Sequence, residues 1–290
     1  MNELIIIVST LVTYWFYKER VYYPDSVRYS LGYKQHYPFN LRVVRIPYMT
    51  FLIPLLTYYY LIPFTSQALY GALLVLGLSG IYQQNIKGYK LIDGTAISFG
   101  LMSAICFNNN WLVPAFGFLI MASLTKETMP VFIALWSMSF IPLIGFIVPL
   151  IVYFINPPIE NDVIGGESEK YLKNPFNFKR FHSHLLHPVY FLSWGVLLAG
   201  MFYTGQYWQW VLAGVLIGYA QLFVATDRAR LFQYSFPLVL IAVCNVIELN
   251  VFWVLINLYN PYQYIESGLK KDNVNYTKKE FDDLCNLITS

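Results

Sequence analysis

The sequence predicts an all-α, polytopic membrane protein with nine or ten transmembrane segments. Of its 290 residues, 57% are hydrophobic and only 12% are charged, whereas a soluble domain carries about 25% charged residues. Four stretches without a charged residue are each long enough for a membrane helix of about 20 residues, and they lie at 51–84, 94–125, 129–159 and 191–226. This composition excludes a large soluble core, because too few polar residues remain to cover one.

Ten apolar segments follow one another along the chain, at 3–17, 41–63, 66–85, 92–107, 111–124, 129–142, 145–155, 189–203, 207–224 and 231–258. The first has no basic residue before it and no small-residue cleavage site after it, so we expect a retained span rather than a signal peptide. Pro142 and Gly145 leave open whether 129–155 is a hairpin or one kinked helix. We expect one transmembrane domain, 1–258, and a polar tail, 259–290.

Charged residues gather in alternate loops between these segments. The loops 18–40, 86–91, 125–128, 156–188 and 225–230, with the adjoining helix ends, hold 15 of the 19 Lys and Arg residues and nine acids, and the intervening short loops hold no charge. One membrane face therefore carries the ionisable chemistry, and its main parts are loops 18–40 and 156–188. In this segment count the tail, with four lysines, lies on the opposite face. The positive-inside rule places the charged face in the cytoplasm, although the acids there weaken the argument.

Ionisable groups near a membrane are energetically costly and mark candidate functional residues. Six of them lie at segment ends on the charged face: Asp25, Asp93, Lys126, Glu127, Asp227 and Arg228. Cationic side chains can hold a phosphate, and a carboxylate can act as a base toward a hydroxyl acceptor. The net charge of +3 is spread over many loops, which argues against nucleic acid as a partner.

Plainer interpretations of these residues stay open. Asp93 can cap a helix that begins near Gly94, and Lys126 with its acidic neighbour can be an interfacial pair. Asp227 with a neighbouring arginine can be a helix-end pair. Glu248 lies alone inside the last segment, where it pairs with a polar group or lines a cavity.

Three histidines, His182, His184 and His187, lie within six residues. They are a weaker alternative site, for zinc or another divalent metal. The chain has only four histidines, too few for a membrane di-iron desaturase, and no adjacent acid completes a hydrolase motif. We therefore expect that no metal or other cofactor is required.

Five short motifs follow one another in a recognisable order: Tyr23-Pro-Asp25-Ser-Val-Arg-Tyr29, Pro38-Phe-Asn-Leu-Arg42, Asp93 at the start of a segment, Lys126-Glu127-Thr128, and Asp227-Arg228-Ala-Arg230 before Phe236-Pro237. This series, over residues 1–258, resembles the GT-C-like superfamily of polytopic membrane glycosyltransferases, in its small bacterial and viral members. The chain departs from that family in having one clear acid in its first loop and no large soluble domain.

The resemblance implies a multi-pass protein of the bacterial inner, or plasma, membrane. It would transfer a sugar from a polyprenyl-phosphate-linked donor to an acceptor at the non-cytoplasmic face, with membrane lipid and the lipid-linked donor as partners. Asp25 would be the base, and Asp93 would assist or orient. Lys126, Arg228 and Arg42 would hold the lipid phosphate, with Glu127 and Asp227 beside them.

The alternative function is that of a non-catalytic membrane protein, such as a transporter or a lipid-binding assembly factor. A transporter should have paired, interrupted helices with polar groups near the midplane. The charges of this sequence lie instead at segment ends, which favours an interfacial site.

Overall fold

The computed structural model describes residues 1–17, 49–87, 93–155, 188–221, 232–260 and 279, and every regular element among them is helical. The α-helices are α1 (Asn2–Tyr17), α2 (Leu52–Leu61), α3 (Ala68–Leu74), α4 (Gln84–Lys87), α5 (Asp93–Asn108), α6 (Leu112–Thr125), α7 (Met129–Trp136), α8 (Ile147–Ile155), α9 (Pro188–Leu192), α10 (Trp208–Ala220), α11 (Phe236–Val246) and α12 (Val251–Leu258). The all-α prediction is therefore confirmed for this part of the chain.

Tighter or wider helical turns join several of these helices. The 3₁₀ turns are Met49–Phe51, Val75–Gly77, Ile141–Phe146, Gly195–Phe202 and Gln233–Ser235, and Ser79–Gln83 is a π-helical turn. Such turns are typical of places where a regular helix is interrupted. Among the described residues, none of the helices is both long enough and apolar enough to cross a membrane.

The described residues belong to two compact units. Among the described residues, the first comprises 1–10, 54–83, 188–221 and 232–260, and the second comprises 11–17, 49–53, 84–87, 93–155 and 279. In the first unit α11 is the central helix, since each of its residues from Phe236 to Cys244 is buried. In the second unit α5 packs along α6 and against α7.

The hairpin of α5 and α6 matches the sequence prediction to within one residue at each end. It turns at Asn110, whose backbone is left-handed with φ 59°, a conformation that asparagine tolerates. The backbone N–H of Asn110 donates to Phe107 O at 3.0 Å, and that of Trp111 donates to Cys106 O at 2.8 Å. This pair of hydrogen bonds is the Schellman motif, which ends a helix and reverses the chain.

The 129–155 stretch is a hairpin rather than one kinked helix. α7 ends in the same way as α5, with Met138 at φ 51° and the backbone N–H of Ser139 donating to Ala134 O at 3.0 Å. The following 3₁₀ turn, with Pro142 at its start, packs back against α7. Proline has no backbone N–H to donate, so it is tolerated in the first turn of a helix.

The last predicted segment, 231–258, is also broken. α11 ends before Ile247, whose backbone is extended, and α12 begins after Asn250, whose side chain accepts a hydrogen bond from Phe252 N at 3.0 Å. Asparagine is among the best residues for this N-cap position. Glu248 therefore lies in an exposed turn, and the expectation that it lies inside a span is wrong.

Candidate functional site

The hairpin of α5 and α6 brings together two of the predicted site residues. Asp93 is the first residue of α5, and Lys126 follows the last residue of α6. Because the two helices are antiparallel and of similar length, these positions lie at the same end of the hairpin. Lys126 Nζ donates a hydrogen bond to Asp93 Oδ1 at 2.5 Å, and the two groups form a salt bridge.

This ion pair is shielded from solvent. The side chain of Asp93 is 2% exposed and that of Lys126 is 14% exposed. Two charges removed from water lose several kcal/mol of solvation each, so such a pair adds little net stability although either charge alone would be costly. The difference in exposure means that a ligand can approach the ammonium group more readily than the carboxylate.

The helix ends favour these charges. An acid at the first turn of a helix and a cation after the last turn each interact favourably with the helix dipole. Asp93 is at the N-terminus of α5, and Lys126 is the C-cap of α6, with its backbone N–H donating to Ala122 O at 2.8 Å. The sequence thus places each charge where the backbone electrostatics stabilise it.

Three further polar residues hold the start of α5, and the sequence reasoning missed them. The backbone N–H of Gly94 donates to Asn85 Oδ1 at 3.1 Å, and Ser98 Oγ donates to Met49 O at 2.8 Å. Thr50 packs directly on Gly94, where a Cβ atom would collide with its hydroxyl. Polar residues of this kind are common in any sequence, so only the geometry identifies them.

The residues after Lys126 complete the described part of the site. Glu127 is exposed, and Thr128 ends the Lys-Glu-Thr motif. The hydroxyl oxygen of Thr128 is buried and makes no hydrogen bond within the part of the chain that the structure describes. The Thr128 hydroxyl group, two residues after Lys126 in the sequence, could therefore form a hydrogen bond with a ligand.

The other predicted site residues lie outside the described residues: Asp25, Arg42, Asp227, Arg228, His182, His184 and His187. Their predicted roles stay predictions. Within the described ranges, no group of three or more His, Cys, Asp or Glu residues is placed to hold a metal ion.

A second set of polar residues lies inside the first unit and was also missed. The side-chain amides of Gln67, Gln233, Asn257 and Asn260 bind backbone groups at the helix interruptions. A signal existed in the sequence, since Gln233 and Asn257 stand within apolar runs where a polar group needs a partner.

Chemically, the first set provides an ammonium group held by a buried carboxylate at a helix end, whereas the second provides neutral amides that bind backbone. An anion is the natural ligand of the first set. No protein-family model, no curated protein and no solved structure matches the chain.

Proposed function

We propose that the protein is a membrane glycosyltransferase that moves a sugar from a polyprenyl-phosphate-linked donor to an acceptor at the membrane face. The observation that carries the proposal is the ion pair of Asp93 and Lys126 at the end of the α5–α6 hairpin. Shielding an ionisable group in an apolar protein costs solvation free energy. Such groups are therefore candidates for a role in function rather than in stability.

Lys126 is the group that binds the donor phosphate. A lysine ammonium group binds phosphate as a compact point charge, and Lys126 retains the exposure that a ligand needs. Asp93 is too buried to reach an acceptor, and its carboxylate already accepts from Lys126 Nζ. Asp93 therefore orients the lysine, which is the assisting role that the family resemblance implies.

Exposed apolar side chains support a membrane location. On α8 the exposed residues Ile147, Ile151, Phe154 and Ile155 recur at helical spacing, and α1 and α12 expose similar faces. A monomeric soluble protein rarely exposes contiguous apolar patches of this kind. Acyl chains of lipid would cover them at no cost in solvation.

The first test is a binding measurement with two ligands that differ only in the phosphate group, polyprenyl phosphate and the uncharged polyprenol. We expect Lys126→Gln to weaken binding of the phosphate at least about tenfold, since a charge-assisted hydrogen bond contributes about 1.5–3 kcal/mol, and to leave polyprenol binding unchanged. Lys279→Gln, at an exposed lysine, is the matched control. Equal binding of both lipids by the unmodified protein would contradict the proposal.

The second test concerns Asp25, the proposed general base. We expect Asp25→Asn to abolish movement of radiolabelled sugar from the lipid fraction to the acceptor fraction, with folding and polyprenyl-phosphate binding retained. An amide has the shape of the carboxylate but cannot accept the acceptor's proton. Retained transfer would remove Asp25 from this role.

A transporter is the second candidate, and the interrupted helices of the first unit favour it. The breaks near Leu78 and Gly195 are bordered by the buried side-chain amide of Asn257, and interrupted helices with polar groups near the membrane midplane occur in transport proteins. Purified protein in liposomes distinguishes the two functions. Radiolabelled sugar that reaches the liposome lumen without becoming attached to an acceptor would favour transport.

A further inference from the structure

The described helices of the first unit run between two opposite ends, and Gln67 lies at the first of these ends. Its side-chain Nε2 donates to Cys244 O at 2.6 Å and to Ile247 O at 3.1 Å, and its Oε1 accepts from Leu249 N at 2.5 Å. The rings of Phe64 and Tyr207 meet edge to face at 5.5 Å. The turns at 62–67, 203–207 and 247–250 therefore lie together, and we call them the turn end.

The opposite end is set by Gln233. Its Oε1 accepts from the backbone N–H of Gly80 at 2.9 Å, and its Nε2 donates to Ser193 O at 3.3 Å. These contacts gather the end of the 68–83 stretch, the start of the 188–202 stretch and the start of α11. We call this the loop end, because loops 156–188 and 225–230 adjoin it in the sequence.

α12 runs from the turn end toward the loop end. Midway, Asn257 Nδ2 donates to Leu74 O at 2.7 Å, and Asn257 Oδ1 accepts from Val196 N at 3.2 Å. The approach is close because Gly195, with φ 55°, leaves room for the asparagine side chain. Beyond α12, Asn260 Nδ2 donates to Leu192 O at 2.8 Å. The chain therefore reaches the turn end through α11 and comes back through α12 to α9, the helix that follows loop 156–188.

We propose that the chain reverses at residues 247–250, so that the tail 259–290 emerges on the same side of the membrane as loop 156–188. This inference rests on the membrane location in the proposed function. It differs from the ten-segment count, in which 231–258 crosses once and the tail lies opposite that loop. The start of α1 then lies on the side opposite to the tail, because Asn2 Nδ2 donates to the Tyr58 hydroxyl at 3.1 Å near the turn end of α2.

The reversal changes the charge distribution of the whole chain. The sequence predicts one charged face for the other fifteen Lys and Arg residues, and the four tail lysines would join them there, so that this face would carry all 19. Only Glu3 and Glu248 are left on the other. An excess of basic residues on one side is the usual pattern in membrane proteins, and the reversal makes this excess larger than the ten-segment count does.

A native thiol makes the test direct. Cys106 and Cys244 are buried, whereas Cys285 lies in the polar tail. A membrane-impermeant maleimide is applied to sealed membranes from either side. Two comparison proteins carry Cys285→Ser together with Ser168→Cys, in the loop, or Glu248→Cys, in the turn. We expect Cys285 and the thiol at 168 to be labelled from one side only, and the thiol at 248 to be labelled from the other side only.

Labelling of Cys285 from the side that reaches position 248, and not from the side that reaches 168, overturns the inference. That outcome leaves the proposed function intact, because the Asp93–Lys126 site does not depend on the tail. A wash of the membranes with alkaline carbonate distinguishes failure of the chain reversal from failure of the membrane location. Release of the protein from the membrane by this wash would contradict the membrane location itself, and the inference with it.

Discussion

The charged pair Asp93–Lys126 is more informative about function than about stability. Each side chain is the counterion of the other, and without it the remaining charge would be shielded from water and unpaired. The pair is therefore strongly sensitive to loss of one partner, and much less sensitive to loss of both. This asymmetry separates a buried ion pair from an exposed one, which contributes about 0–1 kcal/mol.

We expect Asp93→Ala to lower the free energy of unfolding by about 3–5 kcal/mol, because it leaves the Lys126 ammonium group without its carboxylate. The double variant Asp93→Leu with Lys126→Met should lose less than this single variant, since both charges disappear together. Thermal unfolding in detergent measures each value. Glu248→Gln, which alters an exposed carboxylate, is the control and should change the free energy by no more than about 0.5 kcal/mol. A double variant less stable than Asp93→Ala would contradict this account.

At this scale the sequence predicts some contacts and not others. Asp93 and Lys126 could be placed at one end of a helical hairpin because their segments are adjacent and of similar length. The contacts of Asn85 and Thr50 with Gly94 could not be predicted. They depend on how separate helices approach each other, and apolar periodicity does not encode that approach.

At the scale of the helix, Gly94 permits the start of α5 to pack on Thr50. We expect Gly94→Ala to destabilise the protein by about 1–3 kcal/mol, the usual effect of adding volume to a packed interior. Gly117 in α6 is the matched control, because a Cβ atom there meets nothing within 4 Å. Gly117→Ala should be neutral or stabilising by up to about 1 kcal/mol, since alanine favours a helix over glycine. Chemical denaturation measures both, and equal losses would contradict the packing argument.

Gln67 joins the ends of two helices through three hydrogen bonds, and each contributes about 0.5–1.5 kcal/mol net. We expect Gln67→Ala to lower the free energy of unfolding by about 2–4 kcal/mol. Gln67→Glu should be nearly as damaging, because a carboxylate can accept from Leu249 N but cannot donate to Cys244 O or Ile247 O. Gln209→Ala, at an exposed glutamine, is the control. A fully stable Gln67→Glu variant would show that the two donated bonds are unimportant.

Helix breaks are the features that sequence periodicity predicts least well. The apolar run 231–258 has no proline or glycine between Leu238 and Leu258, so it gives no conventional stop signal. The break at 247–250 exists because Asn250 caps the second helix and Gln67, from a distant part of the chain, satisfies the freed backbone groups. The break near Met138 likewise puts a non-glycine residue in the left-handed region, which a sequence pattern does not favour.

At the scale of the whole molecule, two arguments about orientation oppose each other. If all 19 Lys and Arg residues lie on one side, the positive-inside rule places that side in the cytoplasm. The lipid-linked donor that the resemblance implies is reached from the non-cytoplasmic side. The protein therefore cannot both obey the positive-inside rule and reach this donor from the non-cytoplasmic side. A measurement of which side the charged face occupies decides between the two.

We expect the impermeant maleimide to label Cys285 in intact cells, because the proposed donor requires the charged side to face away from the cytoplasm. The thiol of Glu248→Cys, in the Cys285→Ser background, should then be labelled only after the membrane is permeabilised. Quenching of the Cys285 signal by an impermeant thiol added first serves as the control for leakage. The reverse pattern, with Cys285 protected until permeabilisation, would still support reversal of the chain at 247–250. It would contradict a lipid-linked donor at the non-cytoplasmic face, and Lys126 would then be expected to bind a phosphate that is supplied from the cytoplasm.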